Sequence, residues 1–253
     1  MRNAAFLRHI QPRHPHATLT AYSAIASEYY DALRHPTCKN LRDASTIFLE
    51  RALSLCGRDS TWICDVGAGD SIVAALMLRR KSDLSRLLLV DCDYAMLSYS
   101  SQYSAHGAEL LLGTNFQLPF PSKSIGTVIS SLGDPYNRNE FWSELCRVLR
   151  PGGICLFTTP SFEWAVEFRA SKSPEKKDAA YFELKNGTGV YVPSFIYSID
   201  QQDALIRQYG LRVVDVEKIS SDKLPRPLSP KLLKQGSPLP HVLTGFVVTT
   251  SRS

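Results

Sequence analysis

Hydrophobic positions recur every three or four residues between Tyr22 and Leu55, which predicts two helices separated by "RHPTCKN". Beyond Gly57 the pattern changes to short apolar runs that alternate with helical ones. The predicted strands are "WICDV", "RLLLVD", "AELLLGT", "IGTVISS" and "GICLFTTP". The predicted helices between them are "SIVAALMLRR", "YAMLSYSSQYSA" and "NEFWSELCRVLR". This alternation is typical of parallel βαβ units and predicts an α/β domain.

The stretch 161–198 interrupts this alternation. It contains the charged segment "RASKSPEKKD" and then "YFELKNGTGVYVPSF", in which Asn186 and Gly187 separate two β-rich pieces as in a hairpin. We therefore expect an insertion there. A helix, "DQQDALIRQYG", and two strands, "LRVVDVEKI" and "HVLTGFVVTT", follow it. The proline-rich "LPRPLSPKLLKQGSPLP" between those strands is expected to be a loop or mobile lid.

Length and composition fit one domain. The chain has 253 residues, of which 44% are hydrophobic and 21% charged, so a sizeable core is available. We expect a single domain over 1–253, made of an N-terminal arm and helices (1–57), a core (58–160), the insertion (161–198) and the rest of the sheet (199–253). The net charge of +5 is spread along the chain, which argues against a dedicated nucleic-acid face.

The cysteines and the N-terminus bear on location. The six cysteines include no CxxC pair, as expected of free thiols in a reducing compartment. The basic start, "MRNAAFLRHIQPRHPHATL", lacks the apolar run of a signal peptide, and we expect a mobile arm. No segment approaches the roughly 20 apolar residues of a membrane span. The expected location is cytoplasmic, with no membrane partner.

The segment "WICDVGAGDSIVA" carries the chemistry. A strand runs into Gly67 and Gly69, where a ligand can approach the backbone because no Cβ is in the way. Asp91 ends the next predicted strand, where a carboxylate can accept hydrogen bonds from ribose hydroxyls. A tight connection without a ligand is the alternative. The third glycine of GxGxxG is absent after Gly69, which disfavours a nicotinamide oxidoreductase and favours a ligand without a pyrophosphate.

With these pieces the chain resembles the class I S-adenosylmethionine (SAM)-dependent methyltransferases, particularly the branch of small-molecule and quinone methyltransferases. The matching segments are, in the family's order, "DVGAGD", "LLLVDCDYAML", "GTNFQLPFPSKSIGTVISS" and "FWSELCRVLRPGGICLFTTP", between Trp62 and Pro160. The resemblance implies a Rossmann-like, seven-stranded, mostly parallel sheet with helices on both faces, a last strand that runs antiparallel, and an N-terminal helical cover. It also implies SAM as cofactor and S-adenosylhomocysteine as product.

The resemblance assigns cofactor roles by position. Asp65, Gly67, Ala68 and Gly69 should surround the methionine part, and Asp91 should hold the ribose. The other residues expected to bind the cofactor are Cys92, Asp93, Met96, Thr114, Asn115, Phe116, Ser131 and Tyr22. Thr114 departs from the acid that relatives often carry there. Either its hydroxyl or Asn115 must therefore contact the adenine, or Phe116 packs on the ring.

Methyl transfer is an in-line displacement that depends mainly on positioning, and it needs a base only if the acceptor must lose a proton. The catalytic candidates are His35, Tyr30 and Tyr136. His35 is either a base or a histidine at a helix end. His35 and Cys38 have a metal-like spacing, but Pro36 breaks the helix, and no metal is expected.

The segment "SSLGDPYNR" leaves a second function open. Asp134, Pro135 and Tyr136 resemble the motif of methyltransferases that act on amino groups of nucleic-acid bases, without its second proline. A helix start with Asp134 as N-cap and Pro135 at N1 is favoured. We predict methyl transfer to a small molecule. The alternatives are a nucleic-acid methyltransferase and an inactive SAM-binding protein, and the sequence leaves the acceptor and the oligomeric state open.

Overall fold

The computed structural model describes residues 17–55, 61–170 and 176–251. The predicted N-terminal arm falls mostly outside this range, as does Cys56. Two helices, α1 (Ala17–Ile25) and α2 (Pro36–Ala52), lie at the start of the chain as predicted, but their bounds differ. The predicted separator "RHPTCKN" is wrong in most of its length, because Pro36 starts α2, and the chain between the helices runs over 26–35 instead. Pro36 lies at the first turn of α2, where its missing N–H costs no helical hydrogen bond.

A seven-stranded sheet forms the centre of the molecule, in the order β3-β2-β1-β4-β5-β11-β8. Its strands are β1 (Trp62–Val66), β2 (Leu87–Asp91), β3 (Glu109–Leu112), β4 (Ile125–Ser130), β5 (Leu149–Pro160), β8 (Leu211–Ile219) and β11 (Leu243–Thr250). The first five strands pair in parallel. Strand β11 inserts antiparallel between β5 and β8. The predicted Rossmann-like sheet with an antiparallel last strand is confirmed.

Helices cover both faces of the sheet. They are α3 (Ile72–Arg79), α4 (Tyr94–Ser98), α5 (Asn139–Val148), α6 (Phe162–Ala170) and α7 (Ile199–Arg207). Buried residues of α2 and α3 belong to one core cluster, and those of α5 and α7 belong to a second. The helix predicted over "YAMLSYSSQYSA" is shorter than expected: α4 is followed by a separate 3-10 turn, Ser101–His106. Ser100, between them, is buried and bonded to the turn after β1.

The region predicted as an insertion contains a helix and a hairpin. The hairpin consists of β6 (Ala179–Glu183) and β7 (Gly189–Pro193), which pair antiparallel as predicted. Helix α6 was not predicted. The hairpin packs on α1 through a small core of Ile25, Phe182 and Val192. The insertion and α1 therefore form one cover.

The proline-rich segment is a loop, but it is attached to α2. It contains two 3-10 turns (Ser221–Lys223 and Pro230–Leu232) and a small hairpin, β9 (Leu233–Lys234) with β10 (Ser237–Pro238). The Ser229 N–H donates to Asn40 Oδ1 over 2.8 Å, and the Ser229 and Thr37 hydroxyls lie 2.7 Å apart. Among the described residues, no helix is both long and apolar enough to cross a membrane.

Candidate active site

The turn after β1 places two glycines in the left-handed region, Gly67 at φ +70° and Gly69 at φ +45°. The N–H groups of Gly67 and Ala68 both donate to Val90 O on β2, over 2.8 and 3.0 Å. Ser71 caps α3 by accepting from Ala74 N–H, and its hydroxyl donates to Asp65 Oδ2 over 2.6 Å. These contacts fix the loop between β1 and α3.

Asp91 ends β2 and helps to hold that turn. Its Oδ2 accepts from Gly69 N–H and its Oδ1 from Asp93 N–H, each over 2.9 Å. Burial raises the pKa of Asp91 to about 6 and that of nearby Asp65 to about 7. A carboxylate offers about four acceptor positions, so Asp91 retains capacity for further donors such as ribose hydroxyls.

A cavity of about 70 Å³ lies at the carboxyl ends of the parallel strands. Eleven of the residues predicted from the sequence line it: Tyr22, Tyr30, Asp65, Gly67, Ala68, Asp91, Cys92, Met96, Asn115, Ser131 and Tyr136. Eight more line it that were not predicted: Tyr29, Arg42, Val66, Ile72, Val90, Gly113, Leu132 and Pro135. The turn, the ribose candidate and the cover helices therefore meet at one place.

The remaining predicted cofactor residues lie outside this lining. Gly69 lies behind the Tyr30 hydroxyl. Asp93 caps α4, accepting from Met96 N–H over 3.0 Å. Thr114 Oγ1 accepts from Gln117 N–H over 3.1 Å, and Phe116 packs on the core beneath the sheet's edge.

Two tyrosines fill the space above the glycines. The Tyr136 hydroxyl donates to Val66 O over 2.6 Å, and Tyr30 Oη accepts from Asp70 N–H over 2.7 Å. A Cβ on Gly67 would overlap the Tyr136 hydroxyl, and one on Gly69 would overlap that of Tyr30. Burial raises the pKa of both phenols, so both stay protonated at neutral pH.

The glycine turn and the Asp91 carboxylate fit a nucleoside-type cofactor. A glycine turn without side chains and a buried carboxylate 22 residues later can receive the methionine and ribose parts of SAM. The cavity of about 70 Å³ is smaller than ligand pockets of roughly 300–1,000 Å³. Tyr30 and Tyr136 both line this small space.

Arg42 is a cavity residue that the sequence reasoning missed. Its guanidinium lies 4.7 Å from the centre of the Tyr30 ring, and its Nη2 donates to Asp70 O over 2.8 Å. It lies on α2, and only its position on a helix of the predicted cover signalled a role. Arg42 holds Tyr30 and the glycine turn together.

A second cavity, of about 490 Å³, adjoins the first and shares Tyr22, Tyr29 and Leu132 with it. The start of α2, helix α6, the β6–β7 hairpin and the loop at 229–231 enclose it. Its walls combine aromatic side chains with charged ones of both signs. The two cavities therefore adjoin between the sheet and the cover.

Asp134 lines the second cavity. The prediction that it is an N-cap is wrong, because Gly133 precedes the 3-10 turn Asp134–Tyr136 and the Asp134 carboxylate accepts from the Ser194 hydroxyl instead. Asp134 is 8% exposed as a residue, and burial raises the pKa of its carboxyl group to about 6. An acid of this pKa is mostly ionised at neutral pH and can accept a proton.

His35 lies in the second cavity and not in the first. Its ring contacts Phe182 with the ring centres 5.3 Å apart. Its Nε2 is buried without a hydrogen-bond partner, 3.7 Å from Glu28 Oε2, and burial lowers the pKa of the imidazole. Burial raises the pKa of Cys38 to about 12. Within 17–55, 61–170 and 176–251, no group of three His, Cys, Asp or Glu side chains is placed to hold a metal.

Comparison with known proteins identifies the fold. Residues 64–157, which include the glycine turn and Asp91, match the sequence model of a family described as "Methyltransferase domain". This match spans less than half of the chain. The fold is that of class I SAM-dependent methyltransferases.

A curated relative is the biotin biosynthesis bifunctional protein BioHC of Cellvibrio japonicus, with 28% identity over 103 residues. The match covers 40% of this chain and only 20% of that relative's length.

Two solved structures share the fold across almost the whole chain. One is a Haloferax volcanii putative methyltransferase in complex with the Trm112 activator, with a TM-score of 0.65 and 15% identity over 94% of this chain and 98% of that one. The other is Burkholderia thailandensis 1,6-didemethyltoxoflavin-N1-methyltransferase with bound 1,6-didemethyltoxoflavin and S-adenosylhomocysteine. Its TM-score is 0.55, with 13% identity over 94% of this chain and 92% of that one. At these sequence identities, the two similarities show a shared fold and nothing further.

Proposed function

We propose that this protein transfers a methyl group from SAM to a small molecule bound in the second cavity. The observation that carries the proposal is the shared wall of Tyr22, Tyr29 and Leu132 between the two cavities. A cofactor in the first cavity and an acceptor in the second then meet at that wall. The second cavity, about 490 Å³, falls within the usual size of small-molecule pockets, roughly 300–1,000 Å³.

The cofactor contacts follow from the first cavity. Asp91 accepts from the ribose hydroxyls, and the turn at Gly67 and Gly69 receives the methionine part. Cys92, Met96 and Asn115 line the adenosine side. Gly69 joins the site once the Tyr30 hydroxyl has moved, because it lies directly beneath that group. These roles rest on the lining and on the order of the residues along the fold.

SAM held by Asp91 and the turn at Gly67 would supply an electrophilic methyl group, and its sulfur would keep the electron pair of the bond that breaks. The enclosing tyrosines exclude water and hold the acceptor in line. If the acceptor atom carries a proton, Asp134 takes it, because its carboxylate is buried in the acceptor cavity with a pKa of about 6. Neutral His35 is a second acceptor of a proton in the same cavity.

The enclosure favours a small molecule over a polynucleotide. The acceptor cavity lies beneath α1 and the β6–β7 hairpin, whereas a nucleic acid would require an open basic groove. The structurally similar Burkholderia enzyme acts on a small molecule, in agreement with this proposal.

Incubation of the purified protein with isotope-labelled SAM and fractionated metabolite extracts, followed by mass spectrometry, tests the proposal. We expect a labelled small molecule and S-adenosylhomocysteine from the wild type. Asp134→Asn should retain SAM binding and lose transfer to a proton-bearing acceptor. Label transferred to tRNA, rRNA or DNA instead would contradict the small-molecule proposal.

A further inference from the structure

We propose that the methyl acceptor is a flat aromatic molecule with an acidic group, whose negative charge is bound by Lys176 and Lys231 at the mouth of the second cavity. This inference rests on the proposed function, in which that cavity holds the acceptor. It concerns the chemical class of the acceptor and the residues that select it.

The first side of the mouth is an aromatic pair with a lysine above it. Trp164 and Phe168 on α6 stack almost in parallel, with ring centres 5.6 Å apart and an angle of 6° between the planes. The Lys231 ammonium lies 4.8 Å from the centre of the Phe168 ring. The Trp164 indole N–H donates to Lys231 O over 2.7 Å, which fixes the lysine backbone against α6.

The second side repeats this arrangement on the hairpin. The rings of Tyr181 and Tyr191 have centres 5.0 Å apart, and the Lys176 ammonium lies 3.5 Å from the centre of the Tyr191 ring. Tyr181 is 48% exposed and Tyr191 is 36% exposed. Large aromatic side chains that stay this exposed beside a cavity offer a surface on which a ligand ring can stack.

Among the residues that the structure describes, neither Lys176 nor Lys231 forms an ion pair with a carboxylate. The other two cations of the cavity are engaged. Arg34 lies 3.6 Å from Glu28 Oε2, and Arg169 donates to Ser194 O over 2.9 Å.

The inner part of the cavity has aromatic and apolar walls beside one buried acid, Asp134. Tyr22, Tyr29, Phe182 and Leu132 line its inner part, next to the cofactor cavity. The Lys231 charge reaches the same space, because it adds to the lowering of the His35 pKa that burial causes and opposes the burial that raises the Cys38 pKa. A ligand ring inside and an acidic group at the mouth therefore match both the apolar walls and the charges.

An ammonium over an exposed ring is weakly held, and a carboxylate or phosphate binds it more strongly. An acidic acceptor would draw each lysine away from its ring. The same charges disfavour a cationic acceptor.

The test uses 2-naphthoate and its neutral analogue 2-naphthamide as probes, titrated by calorimetry into the full-length protein. The probes have the same ring system and differ in charge. We expect 2-naphthoate to bind about tenfold more tightly at low salt, with the difference shrinking as salt rises. Lys176→Met with Lys231→Met should remove the difference and leave 2-naphthamide affinity within twofold. Lys218→Met, an exposed lysine on β8 outside the cavity lining, is the matched control and should change nothing.

Equal affinities for the two probes, no binding of either, or an unchanged preference in the double variant would overturn the inference. A separate SAM titration distinguishes it from the proposed function. Normal SAM binding without charge preference rejects only the acceptor class. Charge preference without SAM binding rejects only the methyltransferase proposal. The double variant should keep wild-type SAM affinity, because neither lysine lines the cofactor cavity.

Discussion

Alanine at Gly67, compared with alanine at Gly210, measures what the glycine turn contributes beyond its backbone shape. Both glycines have φ +70°, so both substitutions impose the same left-handed strain, about 1–2 kcal/mol. A Cβ on Gly210 meets nothing within 4 Å, whereas one on Gly67 overlaps the Tyr136 hydroxyl. Displacing that ring adds an overpacking cost of about 1–3 kcal/mol. We expect Gly67→Ala to lower the free energy of unfolding by about 2–5 kcal/mol and Gly210→Ala by about 1–2 kcal/mol.

Denaturant unfolding measures both costs, and calorimetric titration with SAM measures the ligand effect. Gly210→Ala should bind SAM within about twofold of wild type, because Gly210 lies at the end of α7, outside the cavity. Gly67→Ala should bind at least about tenfold more weakly, since the new methyl group occupies the approach to the turn. Equal stabilities and wild-type SAM affinity in Gly67→Ala would show that the turn is only a structural connection.

Three further predictions concern acids and a buried amide. Asp91→Asn should weaken SAM binding by about 1.5–3 kcal/mol in calorimetry. The SAM affinity of the wild type should fall as pH drops through about 6, where Asp91 takes up a proton, and an affinity that does not change with pH would contradict this role. Without ligand, the stability of the fold should change with pH in the opposite direction. Because the pKa values of Asp65, Asp91 and Asp134 are raised, the folded state holds protons more tightly than the unfolded state. The free energy of unfolding should therefore fall as pH rises from about 4 to about 7, which denaturation at fixed pH steps measures. Asn137→Ala should destabilise by at least about 2 kcal/mol in thermal unfolding, because the Trp142 indole N–H and Gln202 lose a buried partner; a Tm within 2–3 °C of wild type, roughly the shift of 1 kcal/mol, would refute this.

The strands, the hairpin and the glycine turn could be predicted because each depends on residues that are close together in the sequence. Strands of a parallel sheet are buried on both faces, and β2 and β4 are buried along their whole length, so they read as continuous apolar runs. The hairpin was readable because Gly187, at φ +81°, supplies the turn conformation that Asn-Gly favours. Gly67 and Asp91 were recognisable because parallel strands bring successive carboxyl ends to the same edge.

Helix α6 was missed because its apolar residues do not follow a clean helical stripe. Its sequence, "FEWAVEFRA", has apolar residues on several sides, since it packs on the core and also lines the second cavity. One local signal was present: Ser161 precedes the helix, and its hydroxyl accepts from Trp164 N–H over 3.2 Å.

The second cavity could not be derived from sequence, since it is a product of tertiary packing. Asp134, Ser194 and Lys231 are separated by 60 and 37 positions along the chain, and only folding brings them to one space. The closure of the glycine turn by Tyr30 likewise depends on how the cover rests on the sheet. A binding turn made of neighbouring residues can be predicted from sequence, but a cavity lined by residues from separate helices and strands cannot.

Isothermal titration of the full-length protein with SAM, with NAD as the comparison ligand, tests the central claim most directly. We expect one SAM to bind per chain, S-adenosylhomocysteine to bind with similar affinity, and NAD to give no heat of binding. Absence of binding to both SAM and its product, or tighter binding of NAD, would contradict it.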